Sequence, residues 1–481
     1  MKYSKVISVG VVIMGMFPLS VNAGEAALKD KCAKAMRQAT DFFRTQVSTE
    51  GGYLWRYSEN LSRREGEGKA TNTMIWVQPP GTPSVGMVYL TAYEATGDLY
   101  YLEAARDVAY ALVRGQLRSG GWDYRIEFDP KRRQRYAYRI DPQREGARNI
   151  STLDDNNTQS AVRLLMRVDQ VLDFKDEKIH EAVEFALSTL LNVQYPNGAW
   201  PQRFSDAPDP DEFPVKKAGY PDSWSWTYPK RDYKSFYTFN DNTIVDTIAA
   251  MLEAFEIYND TKYQAAAQKA GDFILLAQMP EPQPAWAQQY NADMHPAWAR
   301  KFEPPAVTGG ESQGIMRILL VLYRATGKKK YLEPLPRALE YLRRSRLPDG
   351  RLARFYELKT NKPLYFTRED YKLTYSDADM PTHYSFKTSY GVESIAREYE
   401  RLRALDPVEL KRSKKISQPR LSWNLEARTK SIIDRLDKQG RWVEDGRLRN
   451  DEQDNPTRRV IDCRTFINNI RTLSTYLSAV R

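Results

Sequence analysis

The turn Ser119-Gly120-Gly121-Trp122 decides the fold, because variants of it recur along the 481-residue chain. Each variant follows a stretch of helical periodicity, and most contain glycine and an aromatic residue. The other copies are Glu50-Gly51-Gly52-Tyr53-Leu54-Trp55, Pro196-Asn197-Gly198-Ala199-Trp200, Gln283-Pro284-Ala285-Trp286, Pro348-Asp349-Gly350-Arg351 and Gln439-Gly440-Arg441-Trp442. Their spacing, on the order of 65–90 residues, suits a helical hairpin with decorated loops. The repetition predicts about six hairpins of one architecture.

The segments between these turns carry the apolar periodicity of helices. One clear stripe consists of Ala161, Leu164, Leu165, Val168, Val171 and Leu172. Strand-like alternation is confined to short pieces such as residues 354–358. We therefore predict an all-α fold, an α/α toroid built from helical hairpins, with short strand pieces and long loops.

A linear solenoid and a closed ring both fit this number of hairpins. Closure is favoured because the first turn follows Cys32 and the last precedes Cys463, close to the two ends of the chain. We predict one toroid domain over residues 24–481, whose N- and C-terminal helices close the ring. The two cysteines would then either pair across the ends in an oxidising compartment or remain buried thiols.

The first 23 residues have the features of a cleavable signal peptide. Lys2 and Lys5 precede an apolar run, and small residues at Val21 and Ala23 mark a cleavage site. An uncleaved anchor is the alternative, but the run is short and interrupted by Pro18. We expect a secreted or periplasmic monomer that binds neither membrane nor nucleic acid.

Charge and composition narrow the possible partners and metals. Lys and Arg number 72 against 62 Asp and Glu, and this excess favours an acidic polysaccharide outside the cytoplasm, although it could serve solubility alone. Three histidines and two cysteines exclude a Cys-rich zinc site and nearly exclude histidine-clustered metal chemistry. A catalytic metal must therefore rely on carboxylate and amide oxygens, which favours a hard cation such as Ca²⁺.

Two similar polar motifs precede predicted inner helices: Asp154-Asp155-Asn156-Asn157-Thr158 and Asn240-Asp241-Asn242-Thr243. In a toroid all inner helices start on the same rim, so these motifs should meet although they are far apart in sequence. Asp, Asn and Thr are also preferred helix N-caps, and each motif alone is explained by capping. Together they offer more oxygen ligands than capping needs, which predicts a Ca²⁺ site.

Three segments resemble the signature blocks of family 10 polysaccharide lyases, the pectate lyases also called pectic acid lyases. The blocks are Gln194-Tyr195-Pro196-Asn197-Gly198-Ala199-Trp200-Pro201-Gln202, Thr238-Phe239-Asn240-Asp241-Asn242 and Pro296-Ala297-Trp298-Ala299-Arg300-Lys301-Phe302-Glu303-Pro304-Pro305. The resemblance covers residues 95–395 in consistent order. It implies a toroid-like fold, bound Ca²⁺, and β-elimination of polygalacturonate.

The resemblance also implies roles for individual residues. Ca²⁺ and the substrate carboxylate would be held by Asp155, Asn156 and Asp241, and Arg368 would bind the uronate carboxylate. The predicted substrate-binding residues are Asn197, Trp200, Asn240, His295, Trp298, Arg300 and Glu303. The family uses a further arginine as its base in a Glu-Arg-Arg segment, and this chain has Pro381-Thr382-His383-Tyr384-Ser385-Phe386-Lys387 there instead.

The missing arginine leaves the proton acceptor to be found among other residues. Elimination removes the C5 proton of a uronate, which becomes acidic once the adjacent carboxylate is neutralised. An imidazole meets the requirement for a general base more easily than a guanidinium, so we predict His383 as the base, assisted by Tyr384 or Lys387. The alternative is that His383 is structural.

Two other functions fit the same residues. One is an inverting glycoside hydrolase with Asp155 and Asp241 as acid and base, which requires carboxyl groups about 6.5–9.5 Å apart. The other is a decayed site that binds polyuronate without turnover. The absent family arginine keeps this second alternative open.

Overall fold

The structure is a computed structural model that describes residues 23–230, 232–389, 391–412, 419–450 and 457–481. Residues 1–22 of the predicted signal peptide lie outside this part of the chain. The helices of the described residues are α1 (Ala23–Phe42), α2 (Thr82–Thr96), α3 (Leu99–Gly115), α4 (Pro130–Arg133), α5 (Asn157–Val171), α6 (Glu177–Asn192), α7 (Thr243–Tyr258), α8 (Thr261–Ala277), α9 (Glu311–Thr326), α10 (Leu335–Arg344), α11 (Val392–Ala404), α12 (Pro407–Arg412), α13 (Trp423–Asp434) and α14 (Cys463–Ala479). Among them none combines the length and apolar character that a membrane crossing requires.

The strands are short and lie in the connections between helices. They are β1 (Arg56–Ser58), β2 (Arg64–Glu65), β3 (Met74–Trp76), β4 (Arg125–Glu127), β5 (Ser151–Thr152), β6 (Arg203–Phe204), β7 (Tyr237–Thr238), β8 (Gln289–Tyr290), β9 (Ala306–Thr308), β10 (Leu352–Ala353), β11 (Phe355–Glu357), β12 (Pro363–Phe366), β13 (Leu373–Thr374), β14 (Lys387–Thr388), β15 (Val443–Asp445) and β16 (Arg459–Asp462). Antiparallel pairs such as β5 with β6 and β7 with β8 stand directly before inner helices. They fix where each of these helices begins.

Six helices form the inner layer of a ring. In the order α14, α2, α5, α7, α9 and α11, each packs against the next. Outer helices follow the inner ones in sequence, as α3 follows α2 and α8 follows α7. Helices α1 and α13 both pack on α14, so the first and last helices meet. The predicted α/α toroid is confirmed.

The recurring turn aromatics are core residues. The indole N–H groups of Trp122, Trp200, Trp286 and Trp442 donate to the carbonyls of Leu112, Leu190, Ile274 and Ile432, near the end of the preceding helix. Trp200 is fully buried, so its predicted sugar contact is wrong. Asn197 is also buried, and its Oδ1 accepts from Ala199 N–H at 3.0 Å, which makes it a turn residue rather than a substrate ligand.

Glycine at position 198 is required by the packing of this turn. Its φ is +98°, and a Cβ atom there would lie 2.2 Å from the carbonyl oxygen of Lys269 on α8. The turn therefore approaches the next outer helix backbone to backbone. The turn glycines Gly51, Gly120, Gly350 and Gly440 also have positive φ, which explains why glycine recurs in the repeated motif.

The two cysteines are buried free thiols. The Cys32 Sγ lies 3.6 Å from the carbonyl oxygen of Leu473, in the middle of α14, whereas Cys463 is the first residue of that helix. Ten residues of helix correspond to about 15 Å, too far for a disulfide. Of the two alternatives, the structure favours the thiols.

Candidate functional site

Two matched turns build the site. Strand β5 leads into a 3₁₀ turn at Asp154–Asn156, and β7 leads into one at Asn240–Asn242. In each, a threonine hydroxyl two residues upstream accepts a backbone N–H at 3.1 Å. Asp155 and Asp241 have φ values of 51° and 46°, and the asparagine after each is also left-handed. The two turns touch, as expected for helix starts on one rim.

The turns bring three carboxylates together. Ligand oxygens of Asp154, Asp155 and Asp241 all lie within 4.8 Å of one another. The predicted convergence of Asp155 with Asp241 is therefore observed. Asp154 was not predicted as a ligand, because the family resemblance assigned the ligand positions to Asp155 and Asn156, which follow it. Asn156 offers Oδ1, which is buried and has no hydrogen-bond partner in the described residues.

The negative charge of the cluster is only partly compensated, by Arg300. Burial, followed by the charges of Asp154 and Asp241, raises the pKa of Asp155 to about 7, although Arg300 opposes this. Burial and Asp241 likewise raise the pKa of Asp154. One oxygen of Asp154 accepts from Tyr124 OH at 2.8 Å, and the other is buried without a partner among the described residues. A hard divalent cation fits this set, since it would neutralise the carboxylates and use the free oxygens.

Arg300 connects the cluster to a buried hydrogen-bond network. Its Nη2 lies 3.3 Å from Asp241 and 2.6 Å from Glu303. Glu303 also accepts from Tyr384 OH at 3.0 Å, and Gln288 Nε2 donates to Tyr384 at 3.0 Å. Burial lowers the pKa of Arg300, but the bond and charge of Glu303 outweigh burial and raise it. The guanidinium is therefore charged at every working pH.

Two predicted site residues, Glu303 and Tyr384, belong to the hydrogen-bond network around Arg300. The Glu303 side chain is 1% exposed, so it orients Arg300 and does not contact substrate as predicted. Burial and the charge of Glu303 raise the pKa of Tyr384 well above its usual value. Tyr384 thus remains a protonated donor, and its predicted assistance as a base is corrected to a positioning role.

Asn240 and Arg354 are two further polar residues close to Asp241. Asn240 is buried; its Nδ2 donates to Asp241 at 2.7 Å and its Oδ1 accepts from Gln288. Asn240 was predicted to contact substrate; in the structure it orients Asp241 instead. Arg354, just after β10, is ion-paired with Glu311 and lies 4.1 Å from the Tyr384 ring centroid.

Arg354 also lines a cleft of about 340 Å³ beside Asp241. Asn242, Glu311 and Gln313 line the same cleft. Sequence reasoning missed Arg354 because it assigned residues 354–358 only to a strand. Two partly buried arginines, Arg300 and Arg354, therefore lie on the side of Asp241 where an anionic ligand would be bound.

His383 and Arg368 lie at the rim of the site. His383 is exposed, with its ring 5.1 Å from that of Phe302 and its Nδ1 3.4 Å from Tyr371 OH. The Nε of Arg368 is 3.3 Å from the carbonyl oxygen of Met380. Neither side chain contacts the carboxylate cluster in the part of the chain that is described. Their catalytic roles remain predictions.

Lys387 is paired with acidic residues outside the carboxylate cluster. It lies on β14, forms an ion pair with Asp377, and is 3.9 Å from Asp349. With two acidic partners and only 15% exposure, its ammonium is held away from the carboxylate cluster. The predicted catalytic assistance by Lys387 is therefore wrong in this structure.

Trp298 is buried and does not offer a ring face to a sugar. Its indole N–H donates to Ser225 O at 2.8 Å, and its ring contacts those of Tyr228 and Phe366. Its predicted stacking role is corrected to anchoring the 205–230 segment. The backbone N–H of His295 donates to Asn291 Oδ1 at 3.0 Å, and the substrate contact predicted for His295 stays a prediction.

A comparison with known protein families gives a match over part of the chain. Residues 116–322 match the family described as pectic acid lyase. None of the curated proteins matches the chain. The family match confirms the predicted resemblance over these residues and supports a polysaccharide lyase.

Several solved structures are similar at low identity. A mutant of the family 10 polysaccharide lyase from Cellvibrio cellulosa, in complex with trigalaturonic acid, is 21% identical, with 66% of this chain and 97% of that chain covered and a TM-score of 0.45. The GH76 α-mannanase of Bacteroides thetaiotaomicron is 11% identical, with 94% of this chain and 95% of that chain covered and a TM-score of 0.42. Cellobiose 2-epimerase from Bacillus thermoamylovorans B4167 is 12% identical, with 93% and 99% covered and a TM-score of 0.45.

Proposed function

We propose that this protein is a polysaccharide lyase that cleaves an acidic, polygalacturonate-type polysaccharide by β-elimination with the help of Ca²⁺. One observation carries the proposal: carboxylates from two distant helix starts meet, and one of them, Asp241, lies 3.3 Å from Arg300 and shares a cleft with Arg354. Such a site would place a metal cation next to arginine side chains. A uronate substrate needs both, because its carboxylate must be neutralised. The pectic acid lyase match over residues 116–322 supports the same reaction class.

Asp154, Asp155, Asp241 and Asn156 would hold the cation. Bound Ca²⁺ supplies neutralisation of the uronate carboxylate, which makes the neighbouring C5 proton more acidic. The chain itself contributes Arg300 and Arg354, whose guanidinium groups stabilise the negative charge that develops on the sugar acid. Glu303 and Tyr384 keep Arg300 in place.

His383 is the proposed proton acceptor, and Arg368 is the proposed carboxylate ligand at the rim. His383 takes the C5 proton, a C4–C5 double bond forms, and the bond from C4 to the glycosidic oxygen breaks. That oxygen leaves with the other sugar and gains a proton from solvent or a nearby donor. An imidazole suits this step because it is the side-chain group that enzymes use most often as a general base.

The hydrolase alternative is disfavoured by the carboxylate spacing. Ligand oxygens of Asp155 and Asp241 lie within 4.8 Å, which is shorter than the separation of about 6.5–9.5 Å that inversion requires. A binding protein without turnover remains the second candidate, since the family base is absent from the sequence. We further propose that the protein is exported from the cytoplasm, because acidic polysaccharides of this type occur outside it.

The test is an absorbance assay for the unsaturated uronide that only elimination produces. The parent should form this product from polygalacturonate with Ca²⁺ and lose activity when a chelator is added. Asp241→Asn should abolish product, whereas Asp272→Asn, on the outer helix α8, should not. His383→Ala should lose most of the rate; full activity of His383→Ala would overturn its assignment as base. Binding without product in the parent would favour the second candidate.

A further inference from the structure

Three aromatic side chains form a stacked group, the aromatic shelf, which the proposed reaction does not use. The shelf comprises Trp224, Trp226 and Tyr375. The two indole rings stack, with centroids 5.6 Å apart and planes at 17°, and Tyr375 meets Trp226 edge-on at 5.2 Å. Trp226 is 42% exposed and Tyr375 45% exposed. Contiguous exposed aromatic surface of this kind marks a binding site.

The shelf is continuous with the cleft through the protein backbone. The segment that carries both tryptophans runs between β6 and β7, and β7 leads directly into the turn of Asp241. Ser225, between the tryptophans, accepts the indole N–H of Trp298 at 2.8 Å. Trp298 is two residues from Arg300 in sequence, so this hydrogen bond ties the shelf segment to the chain that carries the arginine beside Asp241.

The chemistry of the shelf fits a sugar ring. A pyranose presents a flat face of C–H groups to an aromatic plane and hydroxyls at its edge. Among the described residues the indole N–H groups of Trp224 and Trp226 have no hydrogen-bond partner, so they remain donors for hydroxyls. Lys362 Nζ lies 5.0 Å from the Tyr375 ring centroid, so a positive charge stands next to the shelf.

We propose that Trp226 and Tyr375 bind a uronate residue of the same polysaccharide strand, away from the bond that is cleaved, with Lys362 beside its carboxylate. This inference rests on the proposed function, because it names a further subsite of that substrate. The shelf holds long chains on the enzyme but is out of reach of a short oligomer placed over the carboxylates. Chain-length preference is the property that follows.

The experiment compares the affinities of trigalacturonate and long-chain polygalacturonate in the full-length protein. Trp226→Ala should weaken binding of the long chain about tenfold, as expected for loss of one aromatic contact face. Binding of the trimer should not change, and Trp226→Phe should restore most of the long-chain affinity. Lys362→Ala should weaken long-chain binding and reduce its salt dependence. Trp423→Ala is the matched control, because Trp423 is 85% exposed on α13.

The outcomes separate the two proposals. Equal long-chain affinities of Trp226→Ala and Trp423→Ala, with elimination intact, would overturn the shelf and leave the lyase standing. If the parent forms no unsaturated product but Trp226→Ala still weakens binding of the long chain, the shelf is supported and the proposed lyase activity is contradicted. A parent that does not bind polygalacturonate would overturn both, including the case in which the shelf binds a protein instead.

Discussion

Replacement of Glu303 by glutamine tests whether a buried carboxylate holds Arg300 in the site. The Glu303 side chain is 1% exposed and accepts hydrogen bonds from Arg300 at 2.6 Å and from Tyr384 at 3.0 Å. Gln has nearly the same shape, so Glu303→Gln removes the charge without opening a cavity. Arg300 would retain Asp241, 3.3 Å away, as its other acidic partner.

The expected loss is large for a single carboxylate. Removing one partner of a buried ion pair costs about 3–5 kcal/mol, and we expect the lower end because Arg300 keeps Asp241 and is itself partly exposed. Glu393 is the matched control, because it also receives two arginines, Arg343 and Arg346, but is 46% exposed. Glu393→Gln should cost less than about 1 kcal/mol.

Urea denaturation measures both differences from the shift of midpoint at constant slope. The elimination rate is measured in parallel, and it should fall in Glu303→Gln and remain at the parent value in Glu393→Gln. Equal stability losses in the two variants would refute the buried-pair reasoning. An unchanged rate in Glu303→Gln would refute the claim that Glu303 positions a working Arg300.

Three further predictions concern the fold. Trp200→Phe should lose about 1 kcal/mol with its indole hydrogen bond, and Trp200→Ala about 3–5 kcal/mol, with the difference measured by denaturation; a neutral Trp200→Ala would contradict its place in the core. Burial raises the pKa of Asp246 to about 6 although Arg163 opposes this, so its contribution to stability is present below pH 4 and lost as pH rises through 6. Asp246→Asn should accordingly be more stable than the parent above pH 6 and equal to it below pH 4, as read from thermal unfolding against pH; a pH-independent difference would contradict it. Burial raises the pKa of Cys32 to about 12 and that of Cys463 as well, so a thiol reagent should react with neither in the native protein and with both after denaturation without reductant.

The architecture was predictable because it repeats. Gly-aromatic turns at hairpin spacing determine the toroid, and helix starts on one rim determine that Asp155 and Asp241 meet. Both inferences depend on chain direction and periodicity alone, which the sequence carries. Asp154 could have been found in the same way, since it lies in the same motif.

The orientation of individual side chains was not predictable. A turn tryptophan such as Trp200 has the same sequence context whether it packs in the core or faces a cleft, and only the indole bond to the preceding helix distinguishes them. Arg354 gave no signal, because it lies between two short strands and its importance comes from Glu311 and Tyr384, which are distant in sequence. The exposed partners of Trp226 were missed for the same reason.

The fate of solvent oxygen during cleavage tests the central claim most directly. When polygalacturonate is cut in water labelled with heavy oxygen, mass spectrometry of the fragments reports whether solvent has entered the broken bond. If cleavage is an elimination, the new chain ends should carry no label. Asp241→Asn should then show no cleavage at all. Labelled, saturated ends would show that water attacks the bond and would contradict the account.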